Sequence, residues 1–179
     1  METAALITPE YRLLQKRMHK SVERYGGGGA KDYKRVHRMA ARNKCRSILD
    51  YGCGKGGMGL ALQQGGYDVQ FYEPAFEQWN HDPEPADMVV VRDVLEHVEP
   101  ECLDAVLEHI RSKTKKLLWA LIPHSESSDK LPDGRNAHLI VEPHSWWRDR
   151  LEKFFVIKGI RIRGPETEFV CVALASRQT

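Results

Sequence analysis

The sequence predicts an α/β protein built on a mostly parallel sheet, and three observations carry that expectation. From Ser47 onward, short apolar runs alternate with helix-like segments, the order that sets helices against a parallel sheet. A glycine-rich turn, Gly52-Cys53-Gly54-Lys55-Gly56-Gly57, joins the first apolar run to the first helix of that series. The last two strand-like segments are separated only by Gly164-Pro165, a link that permits only an antiparallel pair. The chain has 179 residues, 41% hydrophobic and 29% charged. That is the composition of a soluble globular protein, at the length of one domain with a full core.

The elements follow in order. Thr8 as N-cap and Pro9 at the first helical position open a helix over Pro9 to Arg24. Gly26 to Gly29 reads as a flexible break. Tyr33, Val36, Met39 and Ala40 give Lys31 to Asn43 one apolar face, hence a second helix. Residues 1–46 are thus expected to form a basic helical cap on the cofactor site or substrate entrance, and residues 47–179 the main unit. Strands are expected at Ser47–Tyr51 and Asp68–Tyr72, with a helix at Gly57–Gln64 between them, ended by Gly65-Gly66. Pro74 to Ala86 holds three prolines and no clear strand. Met88 to Val91 is apolar throughout, as in a strand buried on both faces. A helix over Pro100–Arg111, a strand over Lys116–Ile122, a polar loop to Glu142 and a helix over Pro143–Lys153 come next. Strands over Val156–Arg163 and Glu168–Ala175 close the chain. Trp146-Trp147 is read as core rather than a stacking platform, because adjacent helical residues point about 100° apart.

The chemistry begins at Asp50-Tyr51-Gly52-Cys53-Gly54-Lys55-Gly56. A glycine turn between strand and helix lets a ligand approach the backbone, and the helix start offers free N–H groups. Two cofactors compete for it. The run satisfies G-x-G-x-x-G, and Glu73 lies at the end of the next strand, where a ribose-binding acid is needed by a dinucleotide and by S-adenosylmethionine (SAM) alike. Asp50 separates the cases, since its carboxylate would repel a pyrophosphate and favour the ammonium and sulfonium of SAM. The run Leu-Asp-x-Gly-x-Gly-x-Gly resembles motif I of the class I SAM-dependent methyltransferases. That resemblance implies a Rossmann-like fold with an antiparallel last strand. It also implies a cofactor site of Asp50, Gly52, Cys53, Gly54, Gly56, Glu73, Pro74 and Asp93. One departure stands out. The family's third strand has no room between Tyr72 and Met88 and is expected to be shortened or missing.

A second constellation, Asp93-Val94-Leu95-Glu96-His97, follows the buried strand. If the chain turns helically there, Asp93, Glu96 and His97 share one face, and carboxylates with imidazole suit Mg²⁺, Mn²⁺ or another divalent ion that tolerates imidazole. The Leu-Glu-His run resembles the ubiquinone-pathway O-methyltransferases. It also resembles the metal-dependent enzymes that 2′-O-methylate small-RNA 3′ ends. The latter resemblance implies a cation held by Asp93, Glu96, His97 and a downstream histidine, here His138. A bound cation would ready an acceptor hydroxyl or vicinal diol for methylation. Without one, His97 or His138 would act as general base; the plainer alternative is that Glu96 and His97 only cap the next helix or pair with each other.

An oxygen acceptor is expected, because the Asp-Pro-Pro-Tyr or Asn-Pro-Pro-Tyr of amino-methylating DNA enzymes and the Pro-Cys of pyrimidine C5 enzymes do not follow the central strand. Residues 1–48 carry twelve Lys/Arg and four acids, +8, against −6 for the remainder. Solvated amphipathic helices explain that asymmetry; so does a polyanion surface, which keeps open a nucleic-acid substrate or a nucleic-acid-binding protein with a vestigial methyltransferase fold. Four scattered cysteines, no signal peptide and no membrane-length apolar run point to a cytoplasmic protein.

Overall fold

The computed structural model describes residues 5–174. Ala175, expected as the end of the last strand, lies outside them, as does the start of the cap, residues 1–4. Two α-helices come first: α1 (Pro9–Ser21) and α2 (Tyr33–Arg42), the latter preceded by a 3₁₀ turn at Gly29–Asp32. The order then runs β1 (Ser47–Tyr51), α3 (Gly57–Gln64), β2 (Asp68–Tyr72), β3 (Ala86–Arg92), α4 (Leu103–Lys113), β4 (Thr114–Pro123), α5 (His144–Leu151), β5 (Phe155–Arg163) and β6 (Glu166–Ala173).

The six strands form one sheet in the order β2-β1-β3-β4-β6-β5. β1 pairs parallel with β2 and with β3, and β3 with β4. β6 is antiparallel to both β4 and β5. The alternating segments therefore build the Rossmann-like methyltransferase sheet expected from the sequence, with the short Gly164-Pro165 link producing the reversed strand. The family's third strand is missing. Residues 74–85 make only a 3₁₀ turn at Glu77–Trp79, which leaves β2 at the edge. Its exposed ladder is partly satisfied by a side chain: Gln70 Nε2 donates to the Glu84 carbonyl (3.1 Å) and the Glu84 N–H donates to Gln70 Oε1 (2.9 Å). Such pairing blunts an edge that would otherwise template association.

Alternation along each strand sends side chains to opposite faces. Ile48, Met88, Val90, Trp119 and Leu121 face α2 and α3, meeting Val36, Ala40, Met58 and Leu62. Leu49, Tyr51, Val89, Val91, Leu118 and Ala120 face α4 and α5, meeting Leu103, Val106, Leu107, Ile110, Trp147 and Leu151. Both faces of the central strands are filled, which explains the unbroken apolar run of β3. Trp147 is fully buried in that core and Trp146 packs against it, as the sequence reading held.

A third, smaller cluster joins the cap to the body: Tyr11 and Met18 of α1 against Leu131 and Ala137 of the 124–142 loop. Thr8 anchors the start of α1. Its N–H and hydroxyl both donate to the Glu99 carboxylate (2.8 and 2.6 Å), while its oxygen accepts the Tyr11 N–H. Four of the cap's basic residues pair with carboxylates of the body. Lys16 pairs with Glu77, Arg24 with Asp129, Lys31 with Glu166, and Arg35 with the buried Glu168. The helix expected to run to Arg24 stops at Ser21. The Gly26–Gly29 run corrects another expectation, because it is packed backbone and not a free linker.

Candidate functional site

The carboxyl ends of β1, β2 and β3 surround a cavity of about 620 Å³, within the ~300–1,000 Å³ of small-molecule sites. Asp50, Gly52, Cys53, Gly54, Glu73, Pro74 and Asp93 all line it. Gly56 does not; it is the N-cap of α3, with φ 77°. Gly52 adopts φ 71°, and a Cβ there would lie 2.5 Å from Val94 Cγ2, so the turn can sit against the strand end only without a side chain. The Gly52 and Cys53 N–H groups donate to the Tyr72 carbonyl at 2.8 and 3.0 Å, fixing the turn to the end of β2. Cys53 is buried and burial pushes its thiol up, an inert position.

Asp50 points toward α3 and accepts the Gly59 N–H at 2.8 Å. Burial pushes its carboxyl up to about 7, against the lowering effect of that hydrogen bond. Glu73 is 8% exposed and accepts the Gly54 N–H with Oε2 and the Ala75 N–H with Oε1, both at 3.1 Å. Burial raises its carboxyl too. His19 of α1 places Nε2 at 4.0 Å from Glu73 Oε2. The glycine run closes the remaining side, with the Gly26 carbonyl accepting the Lys55 N–H at 2.9 Å and Lys55 Nζ donating to the Val22 and Glu23 carbonyls.

Beyond β3 the chain forms a single 3₁₀ turn, Leu95–His97. Asp93 precedes it with φ 52° and forms an ion pair with Arg92. The structure therefore gathers Glu96, His97 and His138, one donor atom from each lying within 4.8 Å of the others, while Asp93 is held aside by its guanidinium partner. The loop that brings His138 is tied down on both sides. The Glu96 carbonyl accepts the Leu139 and Ile140 N–H groups at 2.7 and 3.0 Å, and His97 Nδ1 lies 2.7 Å from the Ala137 carbonyl.

A carbonyl oxygen only accepts, so His97 Nδ1 carries the proton there. The same holds for His138 Nδ1, 2.6 Å from the Ser125 carbonyl. When neutral, both rings therefore turn an Nε2 lone pair toward Glu96 Oε1, at 3.7 and 3.9 Å. Glu96 is completely buried, and neither carboxyl oxygen has a hydrogen-bond partner among the described residues. Burial, then the neighbouring Asp93, raises its acid well above the ordinary range. Burial, then the facing His138, pushes His97 down to about 4.

Several residues of this site escaped the sequence reading. Tyr11 donates to the His97 carbonyl at 2.6 Å and accepts from Gln15, whose Oε1 accepts from Tyr25 at 3.0 Å. Tyr25 OH also lies 3.3 Å from His97 Nδ1. Nothing local marks these cap residues. Arg92 did leave a signal: a charged residue closing the apolar run Met88 to Val91 needs a buried reason to be there.

Comparison with known proteins agrees with this geometry. A family model described as a methyltransferase domain matches residues 19–159. Comparison with curated proteins gave no match. Among solved structures, a Burkholderia thailandensis 1,6-didemethyltoxoflavin-N1-methyltransferase, bound to 1,6-didemethyltoxoflavin and S-adenosylhomocysteine, superposes with TM-score 0.70. It is 13% identical, over 96% of this chain and 93% of its own. A mitomycin 7-O-methyltransferase gives TM-score 0.65 at 15% identity, over 92% of this chain and 60% of its own. A SAM-dependent methyltransferase from Archaeoglobus fulgidus gives 0.57 at 17%, over 83% of this chain and 96% of its own. These likenesses are of fold; the family match covers most of the chain. With a glycine turn and two buried carboxylates around a small-molecule cavity, the chain belongs to the methyltransferase domain family and is a SAM-dependent methyltransferase.

Proposed function

We propose that the protein transfers the methyl group of SAM to an oxygen of a small molecule, with Glu96, His97 and His138 seating the acceptor. The observation that supports this most directly is the convergence of two imidazole Nε2 lone pairs on a buried, unpartnered carboxyl group. Asp50, Gly52, Cys53, Gly54, Glu73 and Pro74 hold the donor in this reading, with Gly56 setting the start of α3 and residues 1–46 acting as the cap.

The donor set fits a first-row divalent cation such as Mn²⁺ better than the oxygen-seeking Mg²⁺. Each imidazole is fixed through Nδ1 by a backbone carbonyl, the outer support that ligating histidines ordinarily have, and two nitrogens with one carboxylate suit first-row divalent ions. Glu96, His97 and His138 would hold it; Asp93 stands beside them. Such a cation lowers the pKa of an acceptor hydroxyl when bound. The chain's own residues position the acceptor; where His97 or His138 holds no cation, its neutral Nε2 is the atom that accepts the acceptor's proton. The rest of catalysis is alignment of acceptor oxygen, methyl carbon and sulfur.

A small acceptor is favoured because a cavity of about 620 Å³ lies at the site, and four of the cap's basic residues are taken up by body carboxylates. A reducing, cytoplasmic setting fits four buried, unpaired cysteines. None of the helices is long and apolar enough to cross a membrane among the described residues. The test is a transfer assay with methyl-labelled SAM on phenols, vicinal diols and RNA, before and after chelation and with Mn²⁺ restored. Label in the phenol or diol fractions, lost on chelation and regained with Mn²⁺, supports the reading. Label confined to RNA, or to nitrogen of the acceptors, overturns it.

A further inference from the structure

Gln15 of α1 is a buried amide, 7% exposed. The same helix sends Tyr11 and Met18 into the apolar cluster that joins the cap to the body. A leucine at such a place would have no polar group to satisfy, whereas a buried amide must find partners. Gln15 Nε2 donates to the Tyr11 hydroxyl at 2.6 Å, and Oε1 accepts from the Tyr25 hydroxyl at 3.0 Å. Both phenols lead to the same residue. Tyr11 donates to the His97 carbonyl at 2.6 Å, and the Tyr25 oxygen lies 3.3 Å from His97 Nδ1.

The protons along this circuit admit one order. A carbonyl only accepts, so Tyr11 gives its proton to His97 O and its oxygen is left to accept. That turns the Gln15 NH₂ toward Tyr11 and its Oε1 toward Tyr25. Tyr25 gives its proton to Oε1, so only lone pairs remain to face His97 Nδ1. The Nδ1–H is therefore shared between the Ala137 carbonyl, at 2.7 Å, and Tyr25. One glutamine thus governs the backbone and the ring of one histidine, from a helix far from it in sequence.

We propose that Gln15 is a positioning residue for methyl transfer, holding His97 through Tyr11 and Tyr25 so that Nε2 stays aimed at the acceptor seat. This rests on the acceptor reading of His97 and adds to it the cap residues that act through it. Ligating and proton-accepting histidines alike depend on the partner of their other nitrogen. Tyr25 also lines the cavity, with its ring 4.9 Å from that of His19 and 5.7 Å from that of His97, centroid to centroid. A displacement of about 1 Å at a reacting group costs on the order of 100-fold in rate.

The experiment compares the full chain with Gln15→Met, Tyr25→Phe and the two combined. Three readouts are taken: calorimetric affinity for S-adenosylhomocysteine, kcat and KM with catechol as acceptor, and ring ¹⁵N NMR of the chelated protein, with His97 assigned by its loss in His97→Gln. The parent is expected to show His97 as the Nδ1–H tautomer alone. Each variant is expected to bind S-adenosylhomocysteine within threefold of the parent, which also reports folding, and to lose tenfold or more in kcat. The combined variant is expected to lose no more than the worse single one, since both act along one circuit. In Gln15→Met, which frees the Tyr25 proton, the Nε2–H tautomer is expected to appear. A parent with His97 protonated at Nε2 overturns the proposal, as does kcat within threefold in Gln15→Met, or donor affinity that falls in step with kcat. Should Gln15→Met not fold, Tyr25→Phe, which removes one hydroxyl, decides by the same kinetic criteria. A parent that leaves catechol unmethylated counts against the acceptor reading; the tautomer then decides for Gln15, and an unchanged Gln15→Met spectrum overturns its role.

Discussion

His97 Nε2 lies 3.7 Å from Oε1 of Glu96, a carboxyl group with no solvent exposure and no hydrogen bond on either oxygen among the described residues. An arrangement of this kind disfavours the folded state, because burying an acid without partners carries a desolvation cost.

Replacing Glu96 should therefore separate stability from activity. Glu96→Leu keeps the backbone carbonyl that holds Leu139 and Ile140 and removes only the buried carboxyl. We expect unchanged or higher stability, by about 1–3 kcal/mol, with turnover reduced on the order of 100-fold or more. Urea melts alongside initial rates check this. A variant that loses stability and keeps its rate would remove Glu96 from the site.

Acid should destabilise the protein through His19, which is buried, and His97, which is half-buried. His97 and His19 are each pushed from 6.5 to about 4 by burial, seconded by His138 and Lys55 respectively. A base with a depressed folded value contributes stability that is complete above the unfolded value. That stability is lost as pH falls from about 6.5 through about 4, because the unfolded chain takes up the proton first. The drop corresponds to roughly 3 kcal/mol per histidine. Glu96 works in the opposite sense: its raised acid contributes stability at low pH that is lost as pH rises. His97→Gln should accordingly flatten the urea midpoint between pH 6.5 and 4. An unaltered acid limb would contradict the burial of a neutral His97.

Binding of the donor should release a proton near neutrality. Asp50, held at about 7 by burial, is partly protonated in the free protein, and a cationic ligand favours its charged form. Affinity for SAM should increase between pH 6 and 8, and Asp50→Asn should remove that slope. Calorimetry in buffers of different ionisation enthalpy counts the proton directly, and a buffer-independent heat would count against the role of Asp50.

The strap over the cofactor turn should tolerate no side chain at its tightest contact. A Cβ at Gly54 would lie 2.6 Å from the Gly26 carbonyl oxygen, at a residue with φ 52°. Gly54→Ala is expected to cost about 1–3 kcal/mol and to weaken S-adenosylhomocysteine at least tenfold. Near-parent affinity would mean that the Gly26–Gly29 segment moves away freely.

Much of this architecture was legible in the chain. The periods of apolar residues located β1, α3 and β2 at the observed bounds, and the short Pro74–Ala86 interval left room only for a shortened or missing third strand. Local sequence suffices for these because periodicity and turn chemistry act over a few residues. Motif I likewise named residues that come to line one cavity, since strand, turn and helix are contiguous.

Contacts between distant segments were settled only by folding. Asp93, Glu96 and His97 stand close in sequence, yet Asp93 turns to Arg92 and His138 joins from a loop some forty residues on. No spacing rule foretells that, because backbone bonds from Glu96 to residues 139 and 140 place the loop. The cap's charge asymmetry read first as solvated helices, with a surface for polyanions as the alternative; the packed chain adds Arg35 against Glu168 and Lys16 against Glu77. Local propensity is a property of neighbours along the chain, whereas partner choice for a charge or a lone pair depends on which remote groups share its buried space.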